Sequence, residues 1–493
     1  MCDNKPSINR NQVYFMKISD IDVDAIITNA RQQLKDDVSV SPSLRSTIEI
    51  LLLVIPILLG RVSTNSRNSS KPPSQDPNRE KKARAKSDRK PGGQQGRIGT
   101  TLVPTDDPDE IKVVTVDRRT LPRGHTFKPA GFEKRQVFDI DISRLVTEYR
   151  AEILVDDQGN RIVAPFPEAV KSSVQYGPAI KAHAVYLSLY QLLPYDRVRE
   201  YFEDQLRIPL SVGSLVNFNK EAFDKAALFE AWVKRQLIQS PVVHADETGI
   251  NIGGKRHWLH CASNDTLTWL EPHQQRGHQA MDDIGILPYF AGTLCHDHWK
   301  PYYRYTDCDH SLCNAHHIRE LQRVVEQDKH VWAERMQTLL CTMNDAVINA
   351  GGALTSEQVA GWRKAYRDCL KTAEVECPPP DEAQRDGKRG RIKRTTARNL
   401  LERLRDFEDD VLRFLDNPQV PFTNNQGERD IRMVKVQKKI SGCFRSEEGA
   451  QTFCRVRSYL STARKQNISA SDAMMSLFNG VTLPFMYEDD HTK

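Results

Sequence analysis

Three acidic residues stand in surroundings that call for chemistry. Asp246 follows the apolar run PVV in PVVHADETGINIGG, and Asp297 follows the strand-like GTLCH, 51 residues further on. Glu428 lies in TNNQGERDIRMVKVQKK, Thr423 to Lys439, crowded by Arg429, Arg432, Lys435, Lys438 and Lys439. Carboxylates that converge repel one another unless a divalent cation neutralises them. Mg²⁺ suits such a site, because it favours oxygen ligands and commonly uses one or two carboxylates plus a substrate phosphate. Two such ions, about 3.5–4 Å apart, stabilise the attacking and leaving oxygens of a phosphoryl transfer. Taken singly, each residue has a plainer role. An Asp at a strand end caps a turn, and Glu428 with Arg432 makes a surface ion pair worth little.

The elements around them decide between these roles. PVVHADETGINIGG, KRHWLHCASN and TLTWLEPHQ read as three successive strands, with Gly253-Gly254 and SND as hairpin turns. A helical stretch, GHQAMDDIGILPYFAG, is followed by a fourth strand, TLCHDHW, a fifth, DHSLCNAH, and the helix HIRELQRVVEQ. This is the element order of an RNase H-like mixed sheet, in which the first and fourth strands are neighbours. Asp246 and Asp297 would then converge. Glu247 rivals Asp246 but would point to the opposite face. On a helix capped by Thr423, Asn424 or Asn425, Glu428 shares a face with Arg432 and Lys435. Glu428 would be the third metal ligand, and Arg432, Lys435, Lys438 and Lys439, with Asn424 and Asn425, would meet DNA. The 130 residues between Asp297 and Glu428 exceed what the sheet needs. Helical spacing there predicts an insertion over about 318–420, with RDGKRGRIKR as a basic turn.

The chain of 493 residues is long enough for several domains and reads as multidomain α/β. Residues 1–60 are a helical N-terminal region. Residues 61–102 form a basic Ser/Pro/Gly-rich linker, too poor in large apolar residues to fold alone. Residues 103–175 alternate with period two and predict a small β-rich module, and 176–238 predict helices arranged like a helix-turn-helix, with Ser211 or Ser214 as a cap. The catalytic domain spans 239–465 and a C-terminal segment 466–493. Net charge is only +5, so partners are read from its distribution. The ten cysteines are scattered, which excludes a secreted disulfide framework. No export signal is read in MCDNKPSINRNQVYFMKISD, and ILLLVIPILLG is about half of the ~20 residues that a membrane span needs. A cytoplasmic protein with no membrane partner is expected. Cys295, Cys308, Cys313, His310 and His316 could in principle close a zinc site, but their spacings fit no standard pattern and zinc is not expected.

Several blocks together resemble the IS66-family transposases: HADETG, CHDHWKPYY, CNAHHIREL, NNQGERDIRMVKVQKKISGCFRSEEGA and SYLSTARKQNISASDAMMSL, with the linker NSRNSSKPPSQDPN. The resemblance spans roughly Asn65 to Leu477. It implies a DD(E/D) recombinase that hydrolyses transposon ends and attacks target DNA with the freed 3′-OH, using two Mg²⁺ or Mn²⁺ ions. Asp246, Asp297 and Glu428 match the family's acidic triad. Cys313 and His316 match a Cys-x-x-His signature placed near the active site. Implied partners are the terminal inverted repeats, target DNA, at least one further copy of the chain, and small accessory proteins of the same element. One departure stands out: residues 101–175 hold no cysteine, so the zinc module usual there cannot form through thiolates. The alternatives are a stand-alone RNase H-like endonuclease or resolvase, and a decayed or domesticated copy that only binds DNA.

Overall fold

The computed structural model describes residues 17–18, 21–37, 39–62, 64–69, 76, 102–140, 142–381, 392 and 394–487. A short pair, β1 (Lys17–Ile18) and β2 (Ile21–Asp22), leads into α1 (Val23–Asp36) and α2 (Pro42–Val62). Helix α2 carries the greasiest run of the chain, yet Ile50, Leu51, Leu53, Ile57 and Leu58 are exposed and Leu52 is buried. Among the described residues no helix is long and apolar enough to cross a membrane. Most of the predicted linker lies outside the described residues, but its start is anchored: buried Asn68 donates its amide to Glu326 Oε2 at 2.7 Å.

Between 102 and 175 the described chain holds one hairpin, β3 (Ile153–Val155) and β4 (Arg161–Val163). Asp156 turns it by accepting the N–H groups of Gln158 and Asn160. The other alternating runs form no further ladder among the described residues, and Val113, Val116 and Val137 are exposed. Alternation produces a sheet only where something covers its apolar face. Helices α3 (Pro178–Val185), α4 (Tyr195–Leu206), α5 (Val212–Lys225) and α6 (Ala227–Gln239) follow. Arg207, in the left-handed region at φ 54°, ends α4. Ser211 starts α5 by accepting the Ser214 N–H at 3.0 Å.

The sheet comprises β5 (Val242–Ile252), β6 (Lys255–Ser263), β7 (Thr268–His273), β8 (Thr293–His296) and β9 (Asp309–Leu312), with α7 (His278–Ile284) between β7 and β8. Its order is β7-β6-β5-β8-β9. The first three strands are antiparallel neighbours, and β8 and β9 run parallel to β5. The sheet is therefore mixed, with its first and fourth strands adjacent. Gly292 enters β8 so close to the start of β5 that a Cβ there would lie 2.6 Å from the Pro241 carbonyl. Helix α8 (Asn314–Arg323) then leads to α9 (Val331–Asn349), α10 (Ser356–Glu376), α11 (Thr396–Asp406) and α12 (Glu408–Asp416). These helices share their own core, which includes Trp332, Tyr366 and Leu401. The basic turn predicted within them lies almost wholly outside the described residues.

The chain returns to the sheet in α13 (Asn425–Ser441), α14 (Glu447–Lys465) and α15 (Ala470–Phe478). One core joins α3–α6, the sheet, α14 and α15 through Phe202, Phe218, Phe229, Leu259, Leu270, Tyr459 and Met474. The boundaries drawn at 238 and 465 pass through this core. Helix α14 also closes the free edge of β7. The Thr462 hydroxyl accepts the Thr268 N–H at 3.0 Å, and the Ser458 hydroxyl accepts the Leu270 N–H at 2.9 Å. An open edge would otherwise invite another strand. Replacing both residues together (Ser458→Ala, Thr462→Val) leaves two buried N–H groups unpaired. The expected cost is about 1–3 kcal/mol for each, read from the urea midpoint. An unchanged midpoint would show that the hydroxyls do not hold this edge.

Candidate active site

The β5–β8 ladder pairs Val242 with Thr293, Val243 with Leu294 and His244 with Cys295. Continued by two residues, this register sets Asp246 level with Asp297, just past the end of β8. The two carboxyls are close enough for Asp297 to raise Asp246. Asp297 is exposed, and its Oδ1 accepts the Trp299 N–H at 3.2 Å. Asp246 Oδ1 accepts the Glu247 N–H at 2.8 Å.

Helix α13, which packs on β5, carries Glu428 in its first turn. Its cap, Asn424, is the anchor. The Asn424 side-chain amide donates to the Ala245 carbonyl at 2.8 Å, its Oδ1 meets His244 Nδ1 at 2.7 Å, and its backbone N–H reaches Cys313 Sγ at 3.1 Å. Gly427 then lies directly on β5: a Cβ there would be 3.4 Å from Asp246 Cβ and 3.2 Å from Asn424 Oδ1. Further along, Lys465 donates to Asp430 at 2.7 Å and to the Asn264 and Leu267 carbonyls, which ties α13 to α14 and the β6–β7 turn.

Charge follows from this packing. Burial raises the Asp246 carboxyl most, neighbouring Glu247 and Asp297 raise it further, Lys435 opposes them, and the group is pushed up to about 7. Burial and Asp297 raise Glu247 too, against Tyr302 and Arg276. Glu428 Oε1 is buried with no hydrogen-bond partner. That oxygen faces His316 Nδ1 at 3.9 Å, while the crowded, protonation-prone carboxyls of β5 are oxygen donors of the kind a hard divalent cation takes. Asp246, Asp297 and Glu428 would hold it. Among the described residues, however, the metal-ligating atoms that converge within 4.8 Å are those of Cys313, His316 and Glu428. Asp246 and Asp297 stand outside that group.

Residues 173–452, more than half of the chain, match the family model described as Transposase IS66 family. The chain belongs to the IS66 transposase family. It is thus of a family of insertion-sequence transposases, enzymes of nuclease and transferase type that act on DNA. Residues 20–102 match a second model, a family of unknown function designated DUF6444. No curated protein matches the chain.

The transposase sorts its predicted DNA contacts in two. Asn425, Arg432, Lys435, Lys438 and Lys439 are exposed. Asn424 is instead 2% exposed, with its side chain and backbone N–H committed inside the protein, which corrects its assignment to DNA. The Cys/His grouping also differs from the one weighed on the sequence. Cys308 bonds the Tyr305 carbonyl, and His310 bonds His296 and that same carbonyl. Cys313 and His316 turn instead toward Glu428.

Glu247 has its own engagement. Its side chain is 2% exposed and accepts from Arg276 Nε at 2.9 Å and Tyr302 Oη at 2.6 Å. The Arg276 guanidinium is held over Trp258 at 4.7 Å and over Trp299 at 4.0 Å. This clamp joins β5 to the loop that follows Asp297. Nothing local in the sequence announces it, because its members span residues 247 to 302.

The raised Asp246 has a thermodynamic signature. A carboxyl held at about 7 instead of its ordinary 3.8 disfavours its charged form by up to about 4 kcal/mol. The native state keeps this proton to higher pH than the unfolded chain does. The metal-free protein therefore loses stability as pH rises from about 4 to about 7. In chelator, Asp246→Asn is expected to melt above the parent at pH 8, and the gap should close toward pH 5. An equal gap at both pH values would mean that Asp246 is not the strained group.

Proposed function

We propose that this transposase cleaves DNA at the ends of its insertion sequence and joins the freed 3′ ends to target DNA, on an RNase H-like sheet. The observation that supports the proposal is the parallel pairing of β5 with β8, which ends two residues short of Asp246 and Asp297, together with the close approach of Gly427, next to Glu428, to Asp246. Asp246, Asp297 and Glu428 would hold Mg²⁺ or Mn²⁺. Bound there, divalent cations activate the attacking oxygen and stabilise the leaving 3′-oxygen.

The chain's own residues do the rest. Arg432, Lys435, Lys438 and Lys439 are exposed, and none forms an ion pair among the described residues. They are free to hold the phosphate backbone along α13 and to orient the scissile phosphate toward the carboxylates. Lys435 also favours the ionised form of Asp246, the form that binds a cation. In the first step water displaces a 3′-oxygen from phosphorus. In the second, that 3′-OH displaces a 3′-oxygen of the target strand. No covalent link to the protein is involved. Two DNA ends require at least two copies of the chain, acting in the cytoplasm, with small proteins of the same element as candidate partners.

Purified protein incubated with labelled DNA spanning each flank of its coding region, with Mg²⁺ or Mn²⁺, should cut at discrete flanking positions. Asp246→Asn, Asp297→Asn and Glu428→Gln should each slow cutting by about 100-fold or more while DNA binding survives. A variant that cuts at the parental rate removes its residue from the site. Binding without any cut by the parent would favour a copy that only binds DNA. Separately, Lys435→Ala with Lys438→Ala should lower the salt dependence of DNA binding by roughly one unit of log–log slope per lysine. An unchanged slope would move the DNA path off α13.

A further inference from the structure

We infer that Cys313, His316 and Glu428 form a binding site for a soft divalent cation of the zinc class, distinct in donor chemistry from the all-carboxylate set. The grouping of the ligand atoms and the lack of hydrogen-bond partners point there. The ligand atoms of the three residues lie within 4.8 Å of one another. In addition, His316 Nδ1 and Glu428 Oε1 face each other at 3.9 Å, buried, with neither atom hydrogen-bonded. That separation is too long for a hydrogen bond. It is close to the edge of a zinc tetrahedron, roughly 3.3–3.8 Å for metal–ligand bonds of about 2.0–2.3 Å. A His–Glu pair that simply attracted one another would close the gap.

The scaffold suits the purpose. Cys313 caps α8 and His316 lies in its first turn, so spacing of three puts both on one side of the helix start. The His316 N–H bonds the Cys313 carbonyl at 3.1 Å, which fixes that turn. Cys313 Sγ accepts the Asn424 N–H where α13 begins, so the sulfur sits at the N-terminal ends of two helices. Burial holds the Cys313 thiol protonated in the metal-free protein, against the Asn424 N–H, so the sulfur becomes a ligand only by exchanging its proton for the cation. Binding would release the Cys313 proton to solvent. A thiolate, an imidazole and one carboxylate leave a fourth position open, and sulfur selects zinc-class ions over Mg²⁺. The inference needs only these three side chains and stands apart from the cleavage proposal, with which it shares Glu428.

The test uses the full chain, metal-free and reduced, titrated with Co²⁺ as a spectroscopic stand-in and with Zn²⁺ as competitor. One equivalent of Co²⁺ should produce a thiolate-to-metal charge-transfer band with intense tetrahedral visible absorption. One equivalent of Zn²⁺ should erase it, and excess Mg²⁺ should not. Cys313→Ser should abolish the band. His316→Ala and Glu428→Gln should each weaken Co²⁺ binding by about tenfold or more. Asp246→Asn and Asp297→Asn should leave the band intact, which separates this site from the carboxylate set whether or not the protein cuts DNA. No charge-transfer band in the parent, or a full band in Cys313→Ser, overturns the inference. X-ray absorption of the unmutated one-equivalent zinc complex needs no variant. One sulfur with at least one imidazole is expected. An oxygen-and-nitrogen-only shell, or two or more sulfurs, overturns it.

Discussion

The hydrogen bonds of Asn424 are the constraint on which the rest of the site depends. Its side chain closes on His244 and Ala245 of β5, and its backbone N–H closes on Cys313 at the start of α8. Three stretches remote in sequence are thereby pinned at one residue. The amide is buried, so each bond is made where the unpaired alternative is costly. Gly427 then allows α13 to lie on β5 without a side chain between them. The backbone of Glu428, the next residue, is held by the same packing against the Asp246 stretch of β5.

Charge is distributed around this anchor unevenly. In the helical insertion, two arginines gather carboxylates: Arg363 meets Glu408, Asp409 and Asp416, and Arg398 meets Glu374 and Glu402. On α13 the opposite holds. Four exposed cations lack carboxylate partners while carboxyls crowd beneath them. Surface ion pairs contribute little to stability, so stability does not explain leaving these four unpaired. A polyanion laid along α13 and a cation among the carboxylates would each relieve one half of the imbalance.

The sheet was legible in the sequence because its strands are apolar runs punctuated by turns, and because both faces of β5 are covered, by α13 on one side and the Tyr302–Arg276 clamp at its polar end. Asp246 and Asp297 stand out in the sequence because each follows such a run, and Glu428 because it stands among basic residues. The helices between Asp297 and Glu428 were legible through their spacing. Three things were not legible. The alternation between 103 and 175 looks like strand, but only Ile153–Val155 and Arg161–Val163 pair, since pattern alone supplies no covering surface. Asn424 looked like a cap or phosphate contact, because its partners on β5 lie 179 and 180 residues away. The core that unites α3–α6 with α14 and α15 is likewise long-range, and no change in composition marks it.

Glu428 stands where two donor sets meet. One offers oxygen alone, from Asp246 and Asp297; the other offers sulfur and imidazole, from Cys313 and His316. Backbone movement cannot choose between them. Asn424, Gly427 and the Lys465–Asp430 pair fix α13, and Lys465 spends all three of its donors in doing so. What remains adjustable is the side chain of Glu428 itself, which costs only rotamer freedom to turn. On the two proposed sites, a hard ion would draw that carboxylate toward β5 and β8, and a soft ion would draw it toward α8. The identity of the cation would thus determine the position of the Glu428 carboxylate, and a rigid helix carrying one rotatable ligand would be enough to make it so.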